Sequence, residues 1–308
     1  QHTDLDMKSV VLLTGTSTGL GIALSIQFAQ SGYEVYATMR NLDKQQALLN
    51  AAEKAGVSLT VLPLDVQDNQ SVTRCVEQVM QAHGRIDLLV NNAGAGCVRT
   101  TEHITEEEAD WVMDVNFHGV LRCTRAVLPH MRNAGQGRII NISSVGGLVG
   151  QPFSDIYCAA KFAVEGYTES LASYITPNFG IQFCCVEPGG IATEFANNAL
   201  TQLQSRGAMP EDDYKPVFDR FVASGVGEAR GDVYLSVALK AQTGSSAKAC
   251  IQQYIIDKAK SLLLADNQNV NSVAYCLGYE SGNYFTRVFK KKTGLTPSQY
   301  RDSMRSRH

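Results

Sequence analysis

Val10-Val11-Leu12-Leu13-Thr14-Gly15-Thr16-Ser17-Thr18-Gly19-Leu20-Gly21 decides how the fold is read. Its first four residues form a short β-rich apolar run, the pattern of a strand buried on both faces. A T-G-x-x-x-G-x-G loop follows, and then a helical pattern through Ile22, Ile26, Phe28 and Ala29, stopped by Gly32. Glycines in such a loop let the backbone turn tightly and approach a pyrophosphate at the helix N-terminus, where amides are free. A glycine pattern alone marks a nucleotide site weakly; directly after a first strand it carries more weight.

Outward from this stretch, strands are predicted at 33–38, 59–64, 86–90, 138–142 and 182–186, each preceded by a helix-length segment. The strands are apolar runs rather than alternating ones. That predicts an α/β fold with a parallel sheet covered on both faces, and right-handed crossovers make it doubly wound, in the Rossmann manner. The rhythm changes after Pro188-Gly189-Gly190: 191–218 is mixed, and from about 220 onward only helices are expected.

With 308 residues, 44% of them apolar and 19% charged, the chain can build one large core plus a small appendage. The eight cysteines show no C-x-x-C spacing and sit mostly in apolar runs, so we read them as buried thiols and expect no metal site. No run reaches the ~18–20 apolar residues of a membrane span, and the polar start has no signal-peptide core, so a cytoplasmic protein without a membrane partner is expected. Charge is uneven. Residues 251–308 hold nine Lys/Arg against four Asp/Glu, a balance of +5, which leaves −8 on the rest of a chain whose net charge is −3. Such asymmetry suggests two units with different partners.

Chemistry enters at Tyr157-Cys158-Ala159-Ala160-Lys161, preceded by Ser144. A tyrosine and a lysine four apart share a helix face, and the ammonium can draw a phenol pKa near ~10 toward neutrality. In isolation the pair reads more plainly as a packed Tyr and a solvated Lys. Together with Asp65, Asn91-Asn92-Ala93-Gly94, Asn116, Pro188-Gly189 and Thr193, however, it resembles the short-chain dehydrogenase/reductase family over residues 8–218. Ser144 lies thirteen residues before Tyr157, as the family requires, with Ser143 as the neighbouring alternative.

The resemblance implies an oxidoreductase in which Tyr157 exchanges a proton with the substrate oxygen and Ser144 hydrogen-bonds that oxygen. It implies that Lys161 holds the nicotinamide ribose and lowers the Tyr157 pKa, and that Asn116 supports a water in a proton relay. Cofactor contacts are implied for Gly15, Ser17, Thr18, Gly19, Leu20 and Gly21, for Asp65 and Val66 at the adenine, and for Asn91, Ala93 and Gly94. Tyr157, Lys161, Pro188, Gly189 and Thr193 complete that set. The second strand ends Ala37-Thr38-Met39-Arg40-Asn41, without a carboxylate for ribose hydroxyls and with a guanidinium suited to a phosphate. NADP(H) is therefore expected, with NAD and a merely solvated Arg40 as the alternative. Residues 146–166 resemble the estradiol 17β-dehydrogenase and retinol dehydrogenase branch, which implies a lipophilic secondary alcohol or ketone. Leu148, Val149 and Phe153 are candidate pocket walls. A homo-oligomer is expected.

Residues 219–308 resemble the helix-turn-helix DNA-binding domain of AraC/XylS-type regulators. The stretch 234–244 is repeated, with changes, at 284–294, and the second copy is basic. The resemblance implies a linking helix at 254–264 and a second recognition helix at 281–292. Asn283 and Arg287 are placed to reach bases. Lys290, Lys291, Lys292, Arg301, Arg305 and Arg307 are placed for phosphates. The first unit is glycine-rich and incomplete, and the dehydrogenase part lacks its closing helix and strand. Two further readings follow: a transcription regulator whose Rossmann unit senses a ligand, and a tail that is only a helical cap.

Overall fold

A computed structural model describes residues 8–189, 194–223, 256, 259–260, 262–264, 269–277 and 281–305. Thr193 and the whole first helix-turn-helix unit lie outside them. Contacts divide the chain into two compact units, residues 1–231 and 232–308.

In the first unit six parallel strands form one sheet: β1 (Val10–Leu13), β2 (Glu34–Met39), β3 (Thr60–Pro63), β4 (Leu88–Asn91), β5 (Gly137–Ile142) and β6 (Ile181–Val186). Their order, β3-β2-β1-β4-β5-β6, reverses direction at β1, so a crevice opens beyond the carboxyl ends of β1 and β4. The β1 run explains the layers. Val10 and Leu12 face a core shared with α3 (Asn69–His83), α5 (Gly119–Ala134) and α6 (Asp155–Phe179). Val11 and Leu13 face the opposite core, which holds residues of α1 (Gly19–Gln30) and α2 (Gln46–Ala55). All four β1 side chains are buried, which is why the strand needs no alternation.

Helix α4 (Glu106–Met113) starts at a capping box in which the Thr105 side chain accepts from the Glu108 amide and Glu108 accepts from the Thr105 amide. It runs through a π-helical turn, Asp114–His118, into α5. Such turns insert one residue into a helix and often mark functional sites. This one carries Asn116. After β6, α7 (Glu194–Ser205) and α8 (Lys215–Ala223) continue the chain, and Ala199, Leu203, Met209 and Phe218 form a small core with Val98.

The second unit contains α9 (Val270–Cys276), α10 (Gly282–Thr293) and α11 (Pro297–Arg305). Ile256, Ala259, Leu263, Val273, Ala274, Phe285 and Phe289 are its buried centre. Gly282 at the start of α10 lies against the Asn271 side chain of α9, which would have to turn aside for a Cβ there. No described helix is long and apolar enough to cross a membrane.

Candidate active site

The glycine loop is tied down on both sides. Thr16 donates both its amide and its hydroxyl to the Thr38 carbonyl at 3.0 Å, fastening the loop to the end of β2. Asn92 Nδ2 donates to the carbonyls of Thr14 (3.0 Å) and Gly15 (2.9 Å), while the Thr14 hydroxyl accepts from the amides of Asn92 and Ala93. Gly15 has φ +70°, and a Cβ there would lie 2.6 Å from the Ala93 Cα. At Gly21 a Cβ would strike the Gly15 carbonyl. Helix α1 receives no side-chain bond from its cap residue Thr18 and carries no acidic residue in its first turn. A helix N-terminus of that kind suits an anion, and the cradle fits a dinucleotide pyrophosphate. Asn92 was missed as a site residue, although the quoted Asn91-Asn92 pair contained it. Asn91 instead turns inward, donating to Asn141 (2.8 Å) and Thr124 (3.3 Å) between the strands.

Arg40 is exposed at the end of β2, with no ion-pair partner among the described residues. Asp65 accepts from the Gln67 amide, and its own amide donates to Ser71. Val66 packs where a Cβ on Gly119 would lie 2.9 Å away, so α5 sits hard against the adenine-side loop. Pro188 accepts from the Val145 amide, and a Cβ on Gly189 would meet only Val145, at 3.8 Å.

Asn116, Ser144, Tyr157 and Lys161 converge beyond β4 and β5. Asn116 is fully buried; its Nδ2 donates to the Ala95 and Val112 carbonyls (both 2.9 Å), and its Oδ1 accepts from the Ala95 amide. A Cβ on Gly94 would lie 3.0 Å from that Oδ1 and 3.5 Å from Lys161 Nζ, which puts these three groups side by side. Lys161 is 4% exposed and donates to the Ile142 carbonyl at 2.9 Å; its Nζ lies 5.7 Å from the Tyr157 ring centre. Tyr157 is buried in a cluster with Val112 and Cys158, against which Trp111 packs, and hydrogen-bonds Ser144. Ser144 caps a short turn by accepting from the Gly146 amide. That separates it from Ser143, whose hydroxyl is buried under Gly147 without a partner.

One expectation is corrected here. Burial pushes the Tyr157 phenol up to about 12, against the opposing hydrogen bond with Ser144, rather than down toward neutrality. Burial also lowers Lys161 to about 8, with Cys185 and Glu165 pulling the other way. Desolvation outweighs the Ser144 hydrogen bond because the phenol sits in a dry place, and Cys158 adds to the rise. Of the pocket candidates, Leu148 is exposed, while Phe153 turns its ring against Phe218 and Phe221 of α8.

A phosphate cradle beside a buried tyrosine and lysine defines an oxidoreductase that works with a dinucleotide. The family model for short chain dehydrogenases matches residues 9–204, and the chain belongs to that family. A helix-turn-helix domain model matches residues 231–303. A 3-ketodihydrosphingosine reductase from Bacteroides thetaiotaomicron is 42% identical over 212 residues, covering 68% of this chain and 73% of that protein. Human 17-beta-hydroxysteroid dehydrogenase type 1 is also 42% identical, over 63% of this chain and 60% of its own length, so the chain spans less than two thirds of that relative. An actinorhodin polyketide ketoreductase solved with NADPH superposes at a TM-score of 0.61 and 27% identity, covering 78% of this chain and 94% of its own.

Proposed function

We propose that the chain reduces a carbonyl group, ketone or aldehyde, on a lipophilic molecule with NADPH, using Tyr157 as the proton donor. The observation that carries this reading is the buried Tyr157, hydrogen-bonded to Ser144 and flanked by Lys161, beside a glycine loop with no room for a Cβ. When bound, the reduced dinucleotide supplies a hydride to the carbonyl carbon. Tyr157 then gives its proton to the carbonyl oxygen. A phenol held near 12 is fully protonated at neutral pH, which suits an acid. Ser144 hydrogen-bonds the same oxygen and fixes the phenol. Lys161, one turn further along α6, faces the ribose and steadies the phenolate left behind. Asn116 holds Ala95 and the loop after β4 in place for a relay water. The relatives' names support the substrate class, because sphingoid, steroid and retinoid carbonyls are all lipophilic. Testing 3-ketodihydrosphingosine, a 17-ketosteroid and retinal with each reduced dinucleotide, by absorbance, decides it; turnover of none would refute the reading.

Arg40 supports the choice of NADP. Arg40→Asp removes the phosphate partner and supplies a ribose acceptor, so the kcat/KM ratio of NADPH to NADH should fall at least about tenfold, as expected for a lost charge-assisted contact. An unchanged ratio would make Arg40 a bystander.

DNA binding by the second unit is a second reading, favoured by the helix-turn-helix match and by α10 itself. Asn283, Arg287, Lys290, Lys291 and Lys292 are all exposed on α10. Arg301, expected at a phosphate, instead donates to the Leu263 carbonyl at 2.9 Å. We expect weak, largely non-specific duplex binding by the full chain, falling with salt at a log–log slope of about −0.9 per contacted phosphate. Tight binding that persists at physiological salt would promote a regulator; none at low salt would leave α9–α11 a structural module.

A further inference from the structure

Two non-glycine residues among those described hold a left-handed backbone, Phe153 (φ 60°) and Ala208 (φ 53°). They are 55 residues apart, and the carbonyls of both accept hydrogen bonds from one residue, Arg99. The Arg99 amide donates to Phe153 O at 2.8 Å, and Nη1 donates to Ala208 O at 2.6 Å. Nη2 donates to Arg206 O at 2.9 Å. The remaining edge of the guanidinium pairs with Glu108, 3.4 Å away, and both partners are buried. A left-handed conformation is costly for a residue with a side chain and persists only where surrounding contacts impose it, and such residues cluster at functional sites.

The three things Arg99 joins all bear on Tyr157. Glu108 caps α4, which leads to Asn116. Phe153 lies four residues before Tyr157 and packs against Phe218 and Phe221 of α8. The turn at 206–208 lies between α7 and α8; Arg206 itself lies over the Trp111 ring, which packs against the cluster of Val112, Tyr157 and Cys158. Outer contacts also cross this junction, His103 with Asp212 (2.7 Å) and Tyr214 with Glu102 (2.7 Å). These are more exposed, and exposed pairs contribute little, so the buried fork dominates.

We propose that Arg99 is the positioning residue of the substrate side. Its guanidinium fork holds the 206–208 turn, and with it α8, against the loop that leads into Tyr157. This rests on the carbonyl-reductase reading, with Phe153, beside which the fork closes, as a wall of the substrate pocket. Arg99 touches none of the glycine loop, Ser144 or Lys161, so its role separates from cofactor binding and from proton transfer.

The test uses the full chain and three variants. Arg99→Met removes the fork. Arg99→Met/Glu108→Gln removes both charges and keeps a capping side chain on α4, so that the buried carboxylate is not left with only its longer contact to Arg206, 3.8 Å. In both, KM for the carbonyl compound that wild type reduces should rise at least about tenfold with kcat within about threefold, the signature of lost binding that ground and transition states share. NADPH affinity, read by fluorescence, should not move. Arg99→Lys keeps a charge but has no planar fork, so KM should stay raised. Trypsin should cut after Arg206 faster in all three. If wild type reduces no carbonyl compound, the functional reading fails and proteolysis alone decides. Unchanged KM, rescue by lysine, joint loss of kcat and NADPH affinity, or unchanged cleavage would each overturn the proposal.

Discussion

Tyr157→Phe should reduce carbonyl turnover by about 10²–10⁴-fold, the contribution of a positioned general acid, equivalent to about 3–5 kcal/mol of transition-state stabilisation. Phenylalanine keeps the ring in its cluster with Val112 and Cys158, so folding and NADPH affinity should be close to wild type. The loss should fall on kcat, because proton donation is made only in the transition state. Near-normal turnover would remove Tyr157 from the chemistry.

The second large effect is expected at Lys161. Lys161→Ala deletes a buried ammonium and its bond to the Ile142 carbonyl, and should lower kcat by about 10²-fold or more while weakening NADPH binding. The pH profile carries a separate signature. With its pKa lowered to about 8, Lys161 is an ammonium below that value and loses the proton above it. Tyr157 keeps its proton to about 12. Reductive kcat/KM in wild type should therefore be level through neutrality and decline above about pH 8, through loss of the lysine charge rather than of the phenol proton. In Lys161→Ala that break should disappear. A break at the same pH in the variant would assign it to another group.

What was legible from the residues alone is what depends on near neighbours in the chain. The glycine loop announces itself because Gly15, Gly19 and Gly21 meet local steric demands, and β1 because a strand buried on both faces must be apolar throughout. The six strands and α6 with its Tyr157–Lys161 pair followed from the same short-range logic. Long-range contacts were not legible. Asn92 reaches Gly15 across 77 positions, and Arg99 reaches Arg206 and Ala208 across more than a hundred. No local pattern distinguishes such an arginine from a surface one. Choosing Ser144 over Ser143 also needed the fold, since adjacent residues leave a strand end on opposite sides. The direction of the Tyr157 shift was misjudged for a related reason. The spacing to Lys161 places a cation within reach, but burial, which sets the direction of the shift, is a property of the packed molecule.

The central claim is that this chain moves a hydride to a carbonyl carbon and a proton from Tyr157 to its oxygen. The most direct measurement uses NADPH carrying deuterium at the transferable position, with 3-ketodihydrosphingosine, a 17-ketosteroid and retinal as acceptors and the alcohol products analysed by mass spectrometry. One deuterium on the carbinol carbon, formed by wild type and at least about a hundredfold more slowly by Tyr157→Phe, is the predicted result. Absence of labelled alcohol from every acceptor, or equal rates from the two proteins, would contradict it.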